Sequence, residues 1–255
     1  LAHAMRARAP AWLRANPRRA TAPAARAALA AEGIETASHD ALPTALQVTA
    51  GERRIAGSRA YRDGLVELQD LSPQLACAAL PLSKGARVLD FCAGGGGKSL
   101  ALAAREELSL TAHDAAPARM SDLPERARRA GVRIALSPPG KLGADYDLVV
   151  TDVPCSGSGT WRRTPDAKWR LTGAGLDELR RTQARILSEV APRVRPGGRI
   201  AYMTCSLLDA ENGDQVDSFL GQHPDFQREM SQTWLPETAS DGFFLALLRR
   251  EGDAR

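Results

Sequence analysis

The sequence has few cysteines, and no two of them lie close together. Its four, at positions 77, 92, 155 and 205, include no C-x-x-C pair, and His3, His39, His113 and His223 show no ligand spacing. That excludes the usual structural zinc patterns, and no metal is expected. No apolar run approaches the roughly 18–20 residues of a membrane-spanning helix. No basic stretch followed by an apolar core marks a secretory signal. The expectation is therefore a cytoplasmic protein with reduced thiols and no membrane association. Cys77, inside the apolar run LACAAL, reads as a packing residue. Internal repeats and low-complexity tracts are also missing.

What is there is a chain of 255 residues, 44% hydrophobic and 25% charged, ordinary for a globular protein with a full core. Charge is unevenly placed. Residues 1–63 carry ten basic side chains, all arginine, against five acids, a net +5; the remainder carries a net −1. Such a stretch suits a polyanion, because phosphate contacts are largely electrostatic. A solvated face rich in arginine by composition alone is the alternative.

The first 63 residues read as a small basic α/β module. PAWLRAN (Pro10 to Asn16) looks extended, Thr21 can cap a helix through Ala31 that Gly33 ends, and ALQVTAG (Ala45 to Gly51) looks like a strand and turn. From Gly64 to residue 255, strand and helix patterns alternate, which favours a mostly parallel sheet covered by helices. The expected strands are Arg87–Asp90, Leu108–Ala112, Val132–Leu136, Asp147–Asp152 and Arg199–Thr204. The strongest helix is expected over Leu176–Val194, stopped by Pro196-Gly197-Gly198.

Ligands of such sheets bind beyond the carboxyl ends of the strands. The first strand delivers FCAGGGGKS (Phe91 to Ser99), a glycine loop opening a helix, where backbone N–H groups can hold anionic or polar ligand groups. A phosphate loop needs a glycine where Cys92 stands, and a dinucleotide fingerprint needs one at Ser99. The loop alone does not choose its ligand. Asp114 ends the next strand, 24 residues beyond Asp90, placed like the acid that holds a ribose. The later strands deliver TDVPCSGSG (Thr151 to Gly159) and TCS (Thr204 to Ser206).

LDFCAGGGGKS, TDVPCSGSGTWRRTPDAKW and AYMTCSLLDAEN resemble successive motifs of the Sun/Nop (RsmB-like) family of RNA cytosine-5 methyltransferases. GLVELQDLSPQ (Gly64 to Gln74) and DGFF (Asp241 to Phe244) agree with it. The resemblance implies a Rossmann-like class I methyltransferase domain preceded by a small α/β, RRM-like domain. It implies S-adenosylmethionine as cofactor and RNA as partner, ribosomal RNA favoured and transfer RNA the alternative. A monomer is expected.

Carbon 5 of cytosine is a poor nucleophile, so a thiolate must first add to carbon 6, and only a cysteine supplies one near neutral pH. A group near ring nitrogen 3 must stabilise the charge that develops, and a base must remove the proton from carbon 5. By the resemblance, Cys205 is the nucleophile, Cys155 assists product release, Asp152 contacts the base, and Lys98 reaches the reaction centre or cofactor. Cys92, Ala93, Gly94, Gly95, Gly96, Gly97 and Lys98 form the cofactor loop, joined by Asp114, Arg119 and Asp152. Trp161-Arg162-Arg163 and Trp169-Arg170 suit stacking and phosphate contact around a splayed-out base, core filling by either tryptophan being the alternative. Two departures stand out. Gly94 and Gly95 replace the alanine and proline of the family's CAAPGGK loop. LSPPG (Leu136 to Gly140) lacks the aspartate that reads the adenine amine, so Ser137 or a backbone carbonyl is the expected substitute. Two rival functions are a catalytically weakened RNA-binding protein of this fold and, more remotely, a P-loop nucleotide hydrolase.

Overall fold

The structure, a computed structural model, describes residues 1, 3–238 and 240–252. The N-terminal unit runs β1 (Trp12–Ala15), α1 (Ala22–Ala31), β2 (Glu35–His39), β3 (Leu42–Ala50), α2 (Arg59–Arg62) and β4 (Val66–Leu68). Its antiparallel sheet has the order β2-β3-β1-β4, a ferredoxin-like arrangement. Thr21 caps α1 as expected, its hydroxyl accepting from the Ala24 N–H, with Pro23 in the first turn. Leu13, Leu29, Ile34, Leu46, Ile55 and Val66 form this unit's core. Its fourth strand lies beyond the expected division after Asp63, because β4 pairs with β1 (Arg14 opposite Glu67).

The second unit runs α3 (Leu71–Ala79), β5 (Arg87–Asp90), α4 (Gly97–Arg105), β6 (Ser109–Ala112), α5 (Leu123–Ala130), β7 (Ala135–Leu136) and β8 (Tyr146–Asp152). It continues with α6 (Ala167–Arg170), α7 (Gly173–Val190), β9 (Val194–Thr204), α8 (Gly213–Gln222), β10 (Phe226–Trp234) and β11 (Phe243–Arg250). The sheet order is β10-β11-β9-β8-β5-β6-β7, with β9 through β7 parallel and the β10–β11 pair antiparallel at one edge. This is a Rossmann-like sheet. The strand order reverses between β5 and β8, so the carboxyl ends of these two strands flank the natural ligand crevice.

All five expected strands are present. The third shrinks to Ala135–Leu136, and the strong helix ends at Val190 rather than Val194. Pro192 lies in the turn Ala191–Arg193 directly after α7, where its ring prevents the helix from continuing. Pro196-Gly197-Gly198, expected to stop the helix, instead lies within β9. The core lies on both faces of the large sheet: Leu89, Val149, Ile200 and Tyr202 meet α7 and α8 on one side, and Val88, Val150, Ala201 and Met203 meet α3 and α4 on the other.

Candidate active site

The glycine loop leaves β5 at Phe91 and enters α4 through Gly96, which has φ 78°. A side chain at Gly96 would place its Cβ 2.2 Å from Leu123 Cδ1, so both backbone angle and packing demand glycine. Asp114, 2% exposed, accepts from the Gly94 N–H at 2.9 Å and the Ala116 N–H at 2.9 Å. The guanidinium of Arg119 lies 3.2 Å from the same carboxylate. The acid thereby ties the loop to the end of β6. Each carboxylate oxygen keeps acceptor capacity for a further donor such as a hydroxyl.

A cleft of about 290 Å³ opens beside this carboxylate, walled by Phe91, Cys92, His113, Pro139, Leu142 and, from α7, Ile186. Asp114, Glu189, Arg119, Arg185 and Arg193 also line it, so the cleft combines apolar walls with charged groups of both signs, a lining suited to a polar small-molecule ligand. Ser137, which with a backbone carbonyl was the expected alternative for reading the adenine, does not line this cleft; Pro139 and Gly140 do. Its hydroxyl donates to the Lys141 carbonyl at 3.1 Å, and its own carbonyl lies 3.1 Å from His113 Nδ1. Asp90, wholly buried at the base of the loop, accepts from the Ser99 hydroxyl at 2.6 Å. Its other oxygen, buried as well, has no partner among the described residues. Burial pushes the Asp90 carboxyl up to about 6. Burial likewise raises the Cys92 thiol, leaving it an inert wall residue.

The two strand ends next to this loop carry the sulfur chemistry. β8 and β9 are parallel neighbours with Asp152 opposite Met203, so the residues following them emerge side by side. Cys155 Sγ lies 3.4 Å from Cys205 Sγ. The Cys155 thiol as hydrogen-bond donor, with help from the Lys98 ammonium, lowers the pKa of Cys205 below that of an ordinary thiol, against burial and the Asp152 carboxylate. The hydrogen bond to Cys205 and burial raise Cys155 well above. Of the two thiols, Cys205 is the more acidic. Lys98, from the first turn of α4, forms an ion pair with Asp152 at side-chain exposures of 15% and 30%. Burial acts to lower the Lys98 pKa, but Asp152 more than offsets it and keeps the ammonium charged.

Behind the sulfurs is a polar cluster that sequence reasoning missed. Glu211, wholly buried, accepts from the Ser156 N–H at 2.8 Å, the Ser156 and Ser206 hydroxyls, and Gln183 Nε2 at 3.0 Å. Gln183 also donates to the Pro154 carbonyl at 2.9 Å. One carboxylate thus joins the loop after β8, the loop after β9 and α7. A carboxylate with no basic partner among the described residues is accommodated in the interior because four donors replace its water. Gly159 adds a close approach: its N–H donates to the Cys205 carbonyl at 2.9 Å, and a Cβ there would lie 2.4 Å from the Gly242 carbonyl oxygen. The acid within AEN was the only sequence signal for Glu211.

The structure also separates residues that the sequence grouped. Arg162 is buried against Asp241 at 2.8 Å, and Arg163 bridges Asp241 and Asp70. These arginines tie the loop after β8 to α3 and the start of β11, and are not free for phosphate. Trp169, by contrast, is 80% exposed, with Lys168 Nζ 4.7 Å from its ring centre. Trp161 is half-buried. Among the described residues no group of three or more metal-ligating side chains forms, and no helix is long and apolar enough to cross a membrane.

A family model described as 16S rRNA methyltransferase RsmB/F matches residues 77–249, and one for the ferredoxin-like domain of the same proteins matches residues 1–53. The chain is 33% identical over 94% of its length to ribosomal RNA small subunit methyltransferase B of Salmonella arizonae, covering 60% of that protein. It is 32% identical over 88% of its length to the probable ribosomal RNA small subunit methyltransferase B of Bacillus subtilis, covering 56%. The chain thus spans somewhat over half the length of these curated relatives. Among solved structures, PH0851 superposes with a TM-score of 0.89 at 27% identity, over 97% of this chain and 61% of that one.

Proposed function

The chain belongs to the RsmB/F family of 16S rRNA methyltransferases, and from that premise we propose that it methylates carbon 5 of a cytosine in RNA, ribosomal RNA being the favoured substrate. The observation that carries this reading is the Cys155–Cys205 pair, two sulfurs 3.4 Å apart of which only Cys205 is lowered in pKa. A nucleophile and a helper thiol are what addition to carbon 6 followed by elimination requires.

The Cys205 thiolate adds to carbon 6, and the displaced electron pair moves toward ring nitrogen 3, beside which the Asp152–Lys98 pair holds a proton-bearing charge. Carbon 5, now nucleophilic, takes a methyl group; S-adenosylmethionine, when bound, supplies that group from a sulfonium that departs as a neutral thioether. The glycine loop, Asp90, Asp114 and Arg119 would hold it, with the cleft around His113 and Pro139 receiving the adenine. A base then removes the carbon 5 proton, the 5,6 double bond re-forms, and Cys205 leaves as a thiolate. Cys155 assists this last step by donating its S–H to the departing sulfur. A lower thiol pKa makes a better leaving group. Exposed Trp169, flanked by Lys168 and Arg170, and the arginine-rich first unit supply stacking and charge for the RNA.

The test separates the two thiols. Cys205→Ala abolishes methylation and any covalent protein–RNA adduct. Cys155→Ala still permits attack and methyl transfer but stalls elimination, so a denaturation-resistant adduct accumulates on gels with labelled RNA and S-adenosylmethionine. An adduct trapped by Cys205→Ala and lost in Cys155→Ala reverses the roles; methylation by both variants sinks the covalent mechanism.

A further inference from the structure

Two side-chain relays run from the small N-terminal sheet to the glycine loop, and each ends on a backbone carbonyl. In the first, Glu67 of β4 is buried with 2% side-chain exposure and holds Arg126 of α5 at 3.0 Å. A second nitrogen of that guanidinium donates to the Gly95 carbonyl. Arg129 binds the other oxygen of Glu67 and lies over the Tyr61 ring at 4.3 Å, so the carboxylate is held from both sides. In the second relay, Arg14 of β1 donates to Gln69 Oε1 at 2.7 Å, and Gln69 Nε2 donates to the Gly97 carbonyl at 3.3 Å. Arg14 is itself 7% exposed. Both relays start on adjacent residues of the paired strands β1 and β4.

Their target is the segment where this chain departs from the family pattern. Gly94-Gly95 stands where the related motif has alanine and proline, and two glycines carry the largest conformational freedom a dipeptide can have. A loop that presents N–H groups to a ligand must have its peptide planes fixed, and a charged donor on the Gly95 carbonyl fixes the plane between Gly95 and Gly96. We propose that Arg126, anchored by Glu67 of the small domain, is a positioning residue for the cofactor loop, substituting a side-chain clamp for the missing proline. The small domain thus shapes the cofactor site as well as supplying basic surface. The proposal rests on the reading of the loop as the S-adenosylmethionine site, and the experiment keeps the two apart.

Arg126→Ala, Arg126→Lys, Gln69→Ala and the double variant Arg126→Ala with Gly95→Pro are compared with the parent chain in two measurements. The first is hydrogen exchange of a peptide covering residues 91–98 without cofactor; the second is calorimetric titration with S-adenosylmethionine. Arg126→Ala speeds exchange in that peptide while β8 and β9 keep their protection, and weakens cofactor binding about tenfold, the loss of one charge-assisted hydrogen bond at the low end of its range. Arg126→Lys retains a cation within reach and recovers part of both. Gln69→Ala, which leaves the Glu67 ion pairs intact, produces a smaller change of the same kind, about threefold. Gly95→Pro in the Arg126→Ala background restores affinity by making the loop rigid again. Unchanged loop exchange and affinity in Arg126→Ala overturns the proposal, as does a loss of protection shared by all strands or a proline that restores nothing. If the parent chain binds no S-adenosylmethionine, the methyltransferase reading falls, and the exchange measurement alone decides whether Arg126 orders the loop.

Discussion

Removing the Cys155 thiol should make Cys205 a weaker acid. The Cys155 S–H is the largest influence lowering the Cys205 pKa, and it acts across 3.4 Å inside a half-buried pocket. A hydrogen bond to a charged group contributes about 1.5–3 kcal/mol, and the low end applies because a thiol is a weak donor. With that hydrogen bond gone, the Cys155→Ala variant should show a higher Cys205 pKa, and about 1.4 kcal/mol is a factor of ten in the ionisation equilibrium. Well below that pKa, the thiolate fraction then falls about tenfold. Alkylation of Cys205 by iodoacetamide, followed by peptide mass spectrometry across a pH series, measures this without substrate or cofactor. The parent chain should react first at Cys205, and Cys155→Ala should shift the Cys205 profile to higher pH. A Cys205 profile unmoved or shifted to lower pH would refute the shared-proton account of the pair. So would a parent chain in which Cys155 is alkylated first, since that places the thiolate on the wrong sulfur. The reciprocal variant Cys205→Ala should leave Cys155 slow to react at every pH below that of an ordinary thiol, because burial and Asp152 both raise it.

Two further outcomes concern the buried acids of the cofactor loop. Asp114→Ala should weaken S-adenosylmethionine binding by about 1–3 kcal/mol, the cost of leaving polar ligand groups unmet, with RNA affinity unchanged; equal cofactor affinity in a calorimetric titration removes Asp114 from the site. Asp90 offers a test on stability: its folded pKa is about 6, above the ordinary ~3.9 of an unfolded aspartate. Between those values the folded state holds the proton and the unfolded state does not, so unfolding free energy falls as pH rises and then levels above pH ~6. Relative to Asp90→Asn, urea unfolding of the parent chain should lose up to about 3 kcal/mol across that window; a difference that grows with pH instead contradicts the assignment of burial as the cause.

Much of the site was legible because its parts sit at strand ends, and strand ends announce themselves locally. RVLD before FCAGGGGKS, DLVVTD before VPCSGSG and AYMT before CS each join a short apolar run to a turn, and all three strands are present. What stayed hidden depends on pairing across long stretches of chain. Val66–Leu68 is too short to show a strand period, and it belongs to the first sheet only because Leu13 and Ala15 stand opposite it. Arg162 and Arg163 read as free cations until Asp70 and Asp241 are placed against them, 93 and 78 residues away at the nearest pairings. Asp90 sat in plain view at the end of β5, but nothing local distinguishes a wholly buried acid with one open oxygen from a turn residue. The end of α7 was misjudged for the opposite reason: the glycine pair after Pro196 is a strong stop signal, and Pro192 had already acted.

The order of the parallel strands also couples Cys205, the proposed nucleophile, to the glycine loop. Two sulfurs at 3.4 Å cannot both be charged in a half-buried pocket without strong repulsion, and which one ionises depends on the hydrogen bond between them, on burial and on the nearby charges of Asp152 and Lys98. Asp152 raises Cys205 and Lys98 lowers it, and Lys98 belongs to the first turn of α4, directly after the glycine loop. β5 lies next to β8, and β8 next to β9, so Lys98 meets Asp152 at the end of one strand while its field reaches the thiol at the end of the next. A displacement of the glycine loop therefore moves an ammonium that favours the charged form of Cys205. The clamp on Gly95 and the acidity of Cys205 are then two ends of one mechanical connection. Loosening the loop through Arg126→Ala should shift the Cys205 alkylation profile toward higher pH, in the same direction as Cys155→Ala but by a smaller amount, because Lys98 acts on Cys205 less strongly than the Cys155 hydrogen bond does.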